Sequence, residues 1–188
     1  MKFKFVFAIL VTLIAVSAQV KAQSTSFIKG DKALNLGIGL GSTGFSGSGY
    51  NMSVPPVSVS LEFGIKDNLF NDSKCALGVA PYIGYASYNY AYDYGMANNG
   101  KTKLTDLIIG VNGNIHYEFV NKLDTYAGLM LGYENVSWKD SSFGSIAGSG
   151  MFVGVNIGGR YYFTDNLAAM MEIGYGVTYL NLGVAFKL

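Results

Sequence analysis

From Leu104 to Phe119 the chain reads L-T-D-L-I-I-G-V-N-G-N-I-H-Y-E-F, and its odd and even positions separate by polarity. Thr105, Leu107, Ile109, Val111, Ile115, Tyr117 and Phe119 fall on one face of a strand. Asp106, Asn112, Asn114, His116 and Glu118 fall on the other. Alternate side chains of a strand point to opposite faces, so this segment divides an apolar environment from a polar one. The alternation recurs along nearly the whole chain after residue 22, where no apolar run reaches the 18 or more residues of a membrane helix. High apolar content without such a run suits a membrane-spanning barrel, in which only every second residue meets lipid.

Charged residues make up 13% of the chain, about half the usual ~25%. Residues 1–22 read as a secretory signal. Lys2 and Lys4 form the basic start, Phe5 to Val16 the apolar core, and Val20-Lys21-Ala22 a cleavage site before Gln23, with cleavage after Ala18 as the competitor. A retained helical anchor fits less well, because the apolar run is short and lacks a stop-transfer flank. No cysteine follows either site, which argues against a lipoprotein. Residues 23–188 then form one barrel domain. Thirteen basic residues less Lys2, Lys4 and Lys21 leave ten against 12 acidic, and that mildly acidic balance gives no support to nucleic-acid binding. Cys75 stands alone, so no intrachain disulfide forms, and it reads as a small apolar filler.

Eight alternating segments are predicted as strands: 33–41, about 56–65, 75–87, 104–119, 125–134, 151–163, 167–176 and 179–188. Each has at least the 9–11 residues a tilted strand needs to cross a bilayer. Pro81 removes a ladder hydrogen bond, and the expectation there is a bulge or distortion. The connections 42–55, 88–103 and 138–150 are long and rich in Gly, Ser, Asn and Tyr, whereas 120–124 and 164–166 are short turns and 66–74 is intermediate. Outer-membrane barrels carry long loops outside and short turns in the periplasm, which a periplasmic N-terminus satisfies. The fold class predicted is all-β, an eight-stranded antiparallel up-and-down transmembrane β-barrel in a bacterial outer membrane.

A soluble, lipocalin-like barrel would carry the apolar face inside. Two features oppose it. Phe63, Tyr117, Phe119, Tyr161, Phe163 and Phe186 cluster at one end of the apolar face and Tyr85, Tyr133 and Tyr175 at the other, as interfacial girdles do. The polar face is too rich in glycine and too poor in charge for a solvated exterior, and suits a narrow lumen.

The last strand, N-L-G-V-A-F-K-L, resembles the C-terminal assembly signal of outer-membrane barrels through Asn181, Gly183, Phe186 and Leu188, with leucine where the family often ends in an aromatic residue. R-Y-Y-F-T-D-N-L-A-A-M-M-E-I-G-Y-G, from Arg160 to Gly176, resembles that family's strand-turn-strand hairpin. The mature chain as a whole is similar to the small OmpA/OmpX-like, porin-family outer-membrane barrels. The peptidoglycan-binding module that follows the barrel in A-type members is not expected here. The resemblance implies outer-membrane lipids, lipopolysaccharide and the barrel assembly machinery as partners, and it implies no activity.

Candidate chemistry is sparse. Gly39 to Gly44 matches G-x-G-x-x-G, but a loop follows where a dinucleotide site needs a helix, so no cofactor is expected. No catalytic or metal site is expected either. His116 is the only histidine and sits near the periplasmic end, whereas enzymatic barrels resembling this chain act from the extracellular side; a hydrogen-bonded lumen histidine is the expectation. Glu62, Glu118, Glu172, Arg160 and Lys187 all project inward in the periplasmic half. Arg160 is expected to pair with one or more of the glutamates, because unpaired charge there is costly. With Tyr126, Met130, Phe152, Tyr162 and Met170 also inward, a plugged polar lumen is expected. Tyr88, Tyr90, Tyr92 and Tyr94 are candidates for extracellular contact with an unknown ligand, against the alternative of strands extending beyond the membrane. The leading reading is a non-enzymatic barrel serving envelope structure or surface interaction. A narrow pore through Asp106, Asn112, Asn114 and Asn156 is the alternative, and a lipid-modifying enzyme ranks last.

Overall fold

The structure, a computed structural model, describes residues 27–41, 43, 50–93, 99–140 and 144–188. The expected signal segment 1–22, Tyr94 and the side chain of Tyr92 lie outside the described residues. Eight strands follow one another in sequence: β1 (Lys32–Leu40), β2 (Tyr50–Lys66), β3 (Cys75–Asp93), β4 (Asn99–Val120), β5 (Leu123–Asp140), β6 (Gly144–Tyr162), β7 (Leu167–Tyr175) and β8 (Leu180–Lys187). Each pairs antiparallel with the next, and β1 closes on β8 from Ala33↔Lys187 to Leu40↔Leu180. The result is a closed up-and-down barrel without sheet edges in its lower part.

The register decides which face is which. Ile38, Val59, Ile83, Ile109, Leu131, Val155, Ile173 and Leu182, one from each strand, all stand on the exterior and are exposed. A contiguous apolar belt around the full circumference is a membrane-contact surface, because soluble monomers keep such patches to a few hundred Å². Aromatic pairs mark its lower rim: Tyr117 with Phe119 (centroids 4.8 Å apart) and Tyr161 with Phe163 (5.5 Å). Tyr133 and Tyr175 stand exposed at the upper rim. The lipocalin-like inversion is thus excluded.

Two local expectations are corrected. Pro81 sits exposed on β3 with its register unchanged, paired with Val111 on one side and flanked by Ser60↔Tyr82 and Phe63↔Val79 on the other. Only the two intervening β2–β3 pairs drop out, so the missing N–H thins the ladder without a bulge. The β2 irregularities fall elsewhere, at Met52/Val54, Val54/Val57 and Gly64/Lys66. Second, 88–103 and 138–150 are mostly strand, with only 94–98 and 141–143 outside the description. Their polar residues hid an alternating, tyrosine-rich pattern that keeps pairing once a hairpin register is set. β2 to β6, of 17 to 22 residues, therefore rise well above the belt, while β1, β7 and β8 have only 8 or 9. The last extracellular connection is short, as the expected strands 167–176 and 179–188 require, and it tucks Val177 and Thr178 into the mouth of the barrel. There Thr178 Oγ1 donates within reach of the Leu40, Gly41 and Leu180 carbonyls at 3.0–3.1 Å.

Candidate functional site

The interior is built in two layers. In the lower, periplasmic half, β2, β4, β5 and β6 each turn one ionisable side chain inward: Glu62, His116, Asp124 and Arg160, all buried. Arg160 Nη2 donates to Glu62 Oε2, and Arg160 Nη1 donates to Asp124 Oδ2 at 3.2 Å. His116 Nε2 lies 2.9 Å from Glu62 Oε1, and its Nδ1 lies 2.9 Å from Asp124 Oδ1. Asn114 Nδ2 donates to Glu62 Oε1 at 2.6 Å. Carboxylates only accept, and a histidine donates from both nitrogens only as the imidazolium, so the fully bonded quartet is two cations with two anions. Its closed ring of partners offsets the cost of burying four charges.

Aromatic rings frame the quartet. Phe27, just before β1, stacks on His116 at 4.3 Å between centroids, and the Arg160 guanidinium lies 5.7 Å from the Phe27 ring and 4.7 Å from the Tyr126 ring. The segment carrying Phe27 is pinned to β2 through Gly30 N–H to the Gly64 carbonyl (2.9 Å) and Gly64 N–H to the Asp31 carbonyl (2.9 Å). Gly30, at φ 92°, lets that turn fold back beneath the barrel. The glycine content of the inner face has a steric cause: a Cβ at Gly158 would meet Tyr126 Cζ at 2.5 Å, so the Tyr126 ring lies where only glycine leaves space.

The upper half is mainly apolar, with Asp106 buried on the inner face of β4 between Leu104 and Ile108. Ala86, Tyr88, Leu104, Ile108, Met130, Phe152 and Val177 form one buried cluster, with Tyr82 and Tyr90 packed against it. Between the layers run Asn35, Ser58, Asn112, Asn156 and Asn181, and two cavities there measure only about 20 and 10 Å³, room for about one water each.

Of the residues singled out from sequence, Arg160, Glu62 and His116 come together. Glu172 stands apart, accepting from Tyr126 Oη at 3.1 Å and Asn156 Nδ2 at 3.3 Å. Lys187 pairs with Asp31 at 2.7 Å at the periplasmic rim. Glu118 is half-buried opposite Asp124 and forms none of the quartet's ion pairs. Asn181 points inward and donates to Ser58 Oγ at 2.9 Å, while Gly183 lies against the Leu36 carbonyl on β1; Phe186 is half-buried near the lower rim and Leu188 exposed. Tyr88 is 2% exposed inside the apolar cluster and Tyr90 packs on it, so these two tyrosines face the interior because their even positions do. Of the G-x-G-x-x-G match, Ser42 and Gly44 lie outside the described residues, and Gly41, at φ 80°, simply ends β1.

Asp124 and Phe27 were not singled out from sequence. Asp124 reads as a turn residue in N-K-L-D-T. The available signal was that Leu123 continues the outward series of Thr125 and Ala127, which puts Asp124 inside. Phe27 precedes the first alternating segment and carried no signal at all.

A closed antiparallel barrel of eight strands, with an apolar belt free of charge, two aromatic rims and a buried ionic cluster inside, is a small transmembrane barrel of the outer-membrane type. No protein-family model matches the chain, and no curated protein sequence matches it. Among solved structures it is similar to a major outer membrane protein from Thermus thermophilus, at 11% identity, covering 84% of this chain and 99% of that one with a TM-score of 0.59. Weaker likenesses are to Ail, the attachment invasion locus protein of Yersinia pestis (10% identity, 85% and 96% covered, TM-score 0.44), and to the N-terminal β-barrel domain of Pseudomonas aeruginosa OprF (17%, 86% and 98%, TM-score 0.44). At these identities the likeness speaks to the fold alone.

Proposed function

We propose that this chain is an integral protein of a bacterial outer membrane, exported by its first 22 residues, whose barrel is a closed, non-enzymatic anchor. Any contact with the outside is then made by the β2–β6 wall that rises above the membrane. This reading places the protein in envelope structure or surface interaction. The observation that carries it is the pairing of a continuous apolar exterior with an interior filled by the ionic quartet below and the apolar cluster above. The small cavities between the two layers weigh against a pore. Hydrolysis is disfavoured because both ring nitrogens of His116 are engaged by carboxylates, which leaves neither to activate a nucleophile. Asn181, Gly183, Phe186 and Leu188 serve, in the same reading, as the signal to the barrel assembly machinery.

The test is gel mobility of membrane-extracted protein with and without boiling, followed by planar-bilayer recording. A closed anchor migrates faster unboiled and passes no steady current. Steady ion conductance would overturn the anchor in favour of a narrow pore, and recovery from the soluble periplasm with no mobility shift would overturn the membrane placement.

A further inference from the structure

On the exterior of the tall wall, Lys103 of β4 faces Lys139 of β5 directly across the ladder, and both are exposed. Opposed residues in an antiparallel pair have Cα atoms about 4.5–5.5 Å apart, and like charges placed so are destabilising. Lysines are common on edge strands, where they block unwanted pairing, but β4 and β5 lie between β3 and β6 and have no free edge here. No ion pair among the described residues uses either lysine. Asp140, the next residue, turns to the opposite face, where Thr102 donates to it.

The neighbours extend the site without neutralising it. Asn89 of β3 is opposite Lys103, and Ser145 of β6 is opposite Lys139, so a row of four polar side chains crosses four strands. With strands about 4.8 Å apart the row is about 14 Å wide, with two ammonium groups at its centre. Its height is equally specific. Lys103 lies four residues beyond Leu107, the partner of Tyr85 in the upper aromatic rim. Four residues span about 13 Å along a strand, or about 10 Å along the membrane normal at the usual tilt. Flexible lysine stems reaching back toward the rim bring their charges into the headgroup layer.

We propose that Lys103 and Lys139, flanked by Asn89 and Ser145, bind a phosphate of a phosphorylated glycolipid headgroup in the outer leaflet, of the lipid A class. One phosphate between the two ammonium groups converts a repulsive pair into two attractive ones. The site rests on the membrane placement proposed above and gives that barrel a fixed lipid on one flank.

The test uses the full mature chain folded in neutral detergent micelles doped with lipid A bearing both phosphates or with lipid A from which they have been removed. Retained lipid is counted by native mass spectrometry. Each lysine near an anionic headgroup contributes roughly fivefold, so K103S/K139S is expected to retain phosphorylated lipid A about 25-fold more weakly than wild type. K103R/K139R, which keeps both charges, is expected to retain it, and wild type is expected to discriminate against the dephosphorylated lipid. Equal retention by wild type and K103S/K139S, or equal retention of the two lipids, overturns the site. Displacement by millimolar inorganic phosphate at constant ionic strength overturns the lipid assignment in favour of a free anion. Heat-dependent mobility is read on the same samples: a mobility shift without lipid discrimination overturns the site and leaves the barrel standing, whereas no shift and no retention overturns both.

Discussion

Replacing Arg160 with methionine tests the interior quartet most sharply, because it removes a buried cation while leaving an unbranched apolar stem in its place. In the wild type Glu62 is bonded by Arg160, His116 and Asn114, and Asp124 by Arg160 and His116. Arg160→Met leaves two buried carboxylates sharing one histidine, and it also removes the cation from the Tyr126 and Phe27 rings. Removing one partner of a buried pair costs about 3–5 kcal/mol, against about 0–1 for a solvent-exposed one. At an m-value of about 2 kcal/mol/M the urea midpoint falls by about 2 M, where an exposed pair would move it by at most about 0.5 M. The assay is urea unfolding in lipid vesicles, followed by loss of the fast-migrating unboiled band. Glu62→Gln in the Arg160→Met background is then expected to add less than it does alone, with a coupling of about 1–3 kcal/mol. A midpoint shift below about 0.3 M, or strictly additive single and double variants, would refute the quartet as a source of stability.

Two further substitutions probe the packing around it. Phe27→Ala removes the ring stacked on His116 and is expected to cost about 3 kcal/mol without producing steady conductance, since Tyr126 and Met130 still fill the lumen above; an unchanged urea midpoint would show that the segment before β1 does not close the barrel. Gly158→Val drives a methyl-bearing carbon into the Tyr126 ring and is expected to lose about 1–3 kcal/mol, whereas Gly159→Val, whose nearest neighbour atom stands at 3.7 Å, is expected to be neutral; equal behaviour of the two would contradict the inward placement of Tyr126.

How much of this was written in the chain follows from what periodicity carries. Alternation is a local signal with period two, and it assigned the lipid-facing series, the eight strands and the inward course of Glu62, His116 and Arg160. It carries nothing about which inward side chains meet across the lumen, since Arg160 and Glu62 lie 98 residues apart. Asp124 was hidden because a turn ends one residue before its strand begins, and aspartate suits either role. Ile108 and Leu104 sit on the face read as polar, yet both are fully buried in the upper cluster, so apolar character on that face marked an inner layer rather than a break in the pattern. The extra height of β2 to β6 was illegible for a related reason. Toward the tip of the wall, where inward Trp138 and Ile146 are exposed, both faces of a strand meet water, and the alternation that betrays a strand fades into the composition of a loop.

The whole arrangement turns on the odd-numbered face of β5 meeting lipid. Leu129, about midway along the spanning part of that strand, is half exposed on the belt. A single tryptophan at this position, in L129W with Trp138 replaced by phenylalanine, measures the claim directly once the protein is folded into vesicles of lipid brominated near the middle of its chains. Strong quenching of its fluorescence relative to unbrominated vesicles is expected. Unquenched emission from protein that has folded into a barrel would contradict it and place the apolar face inside.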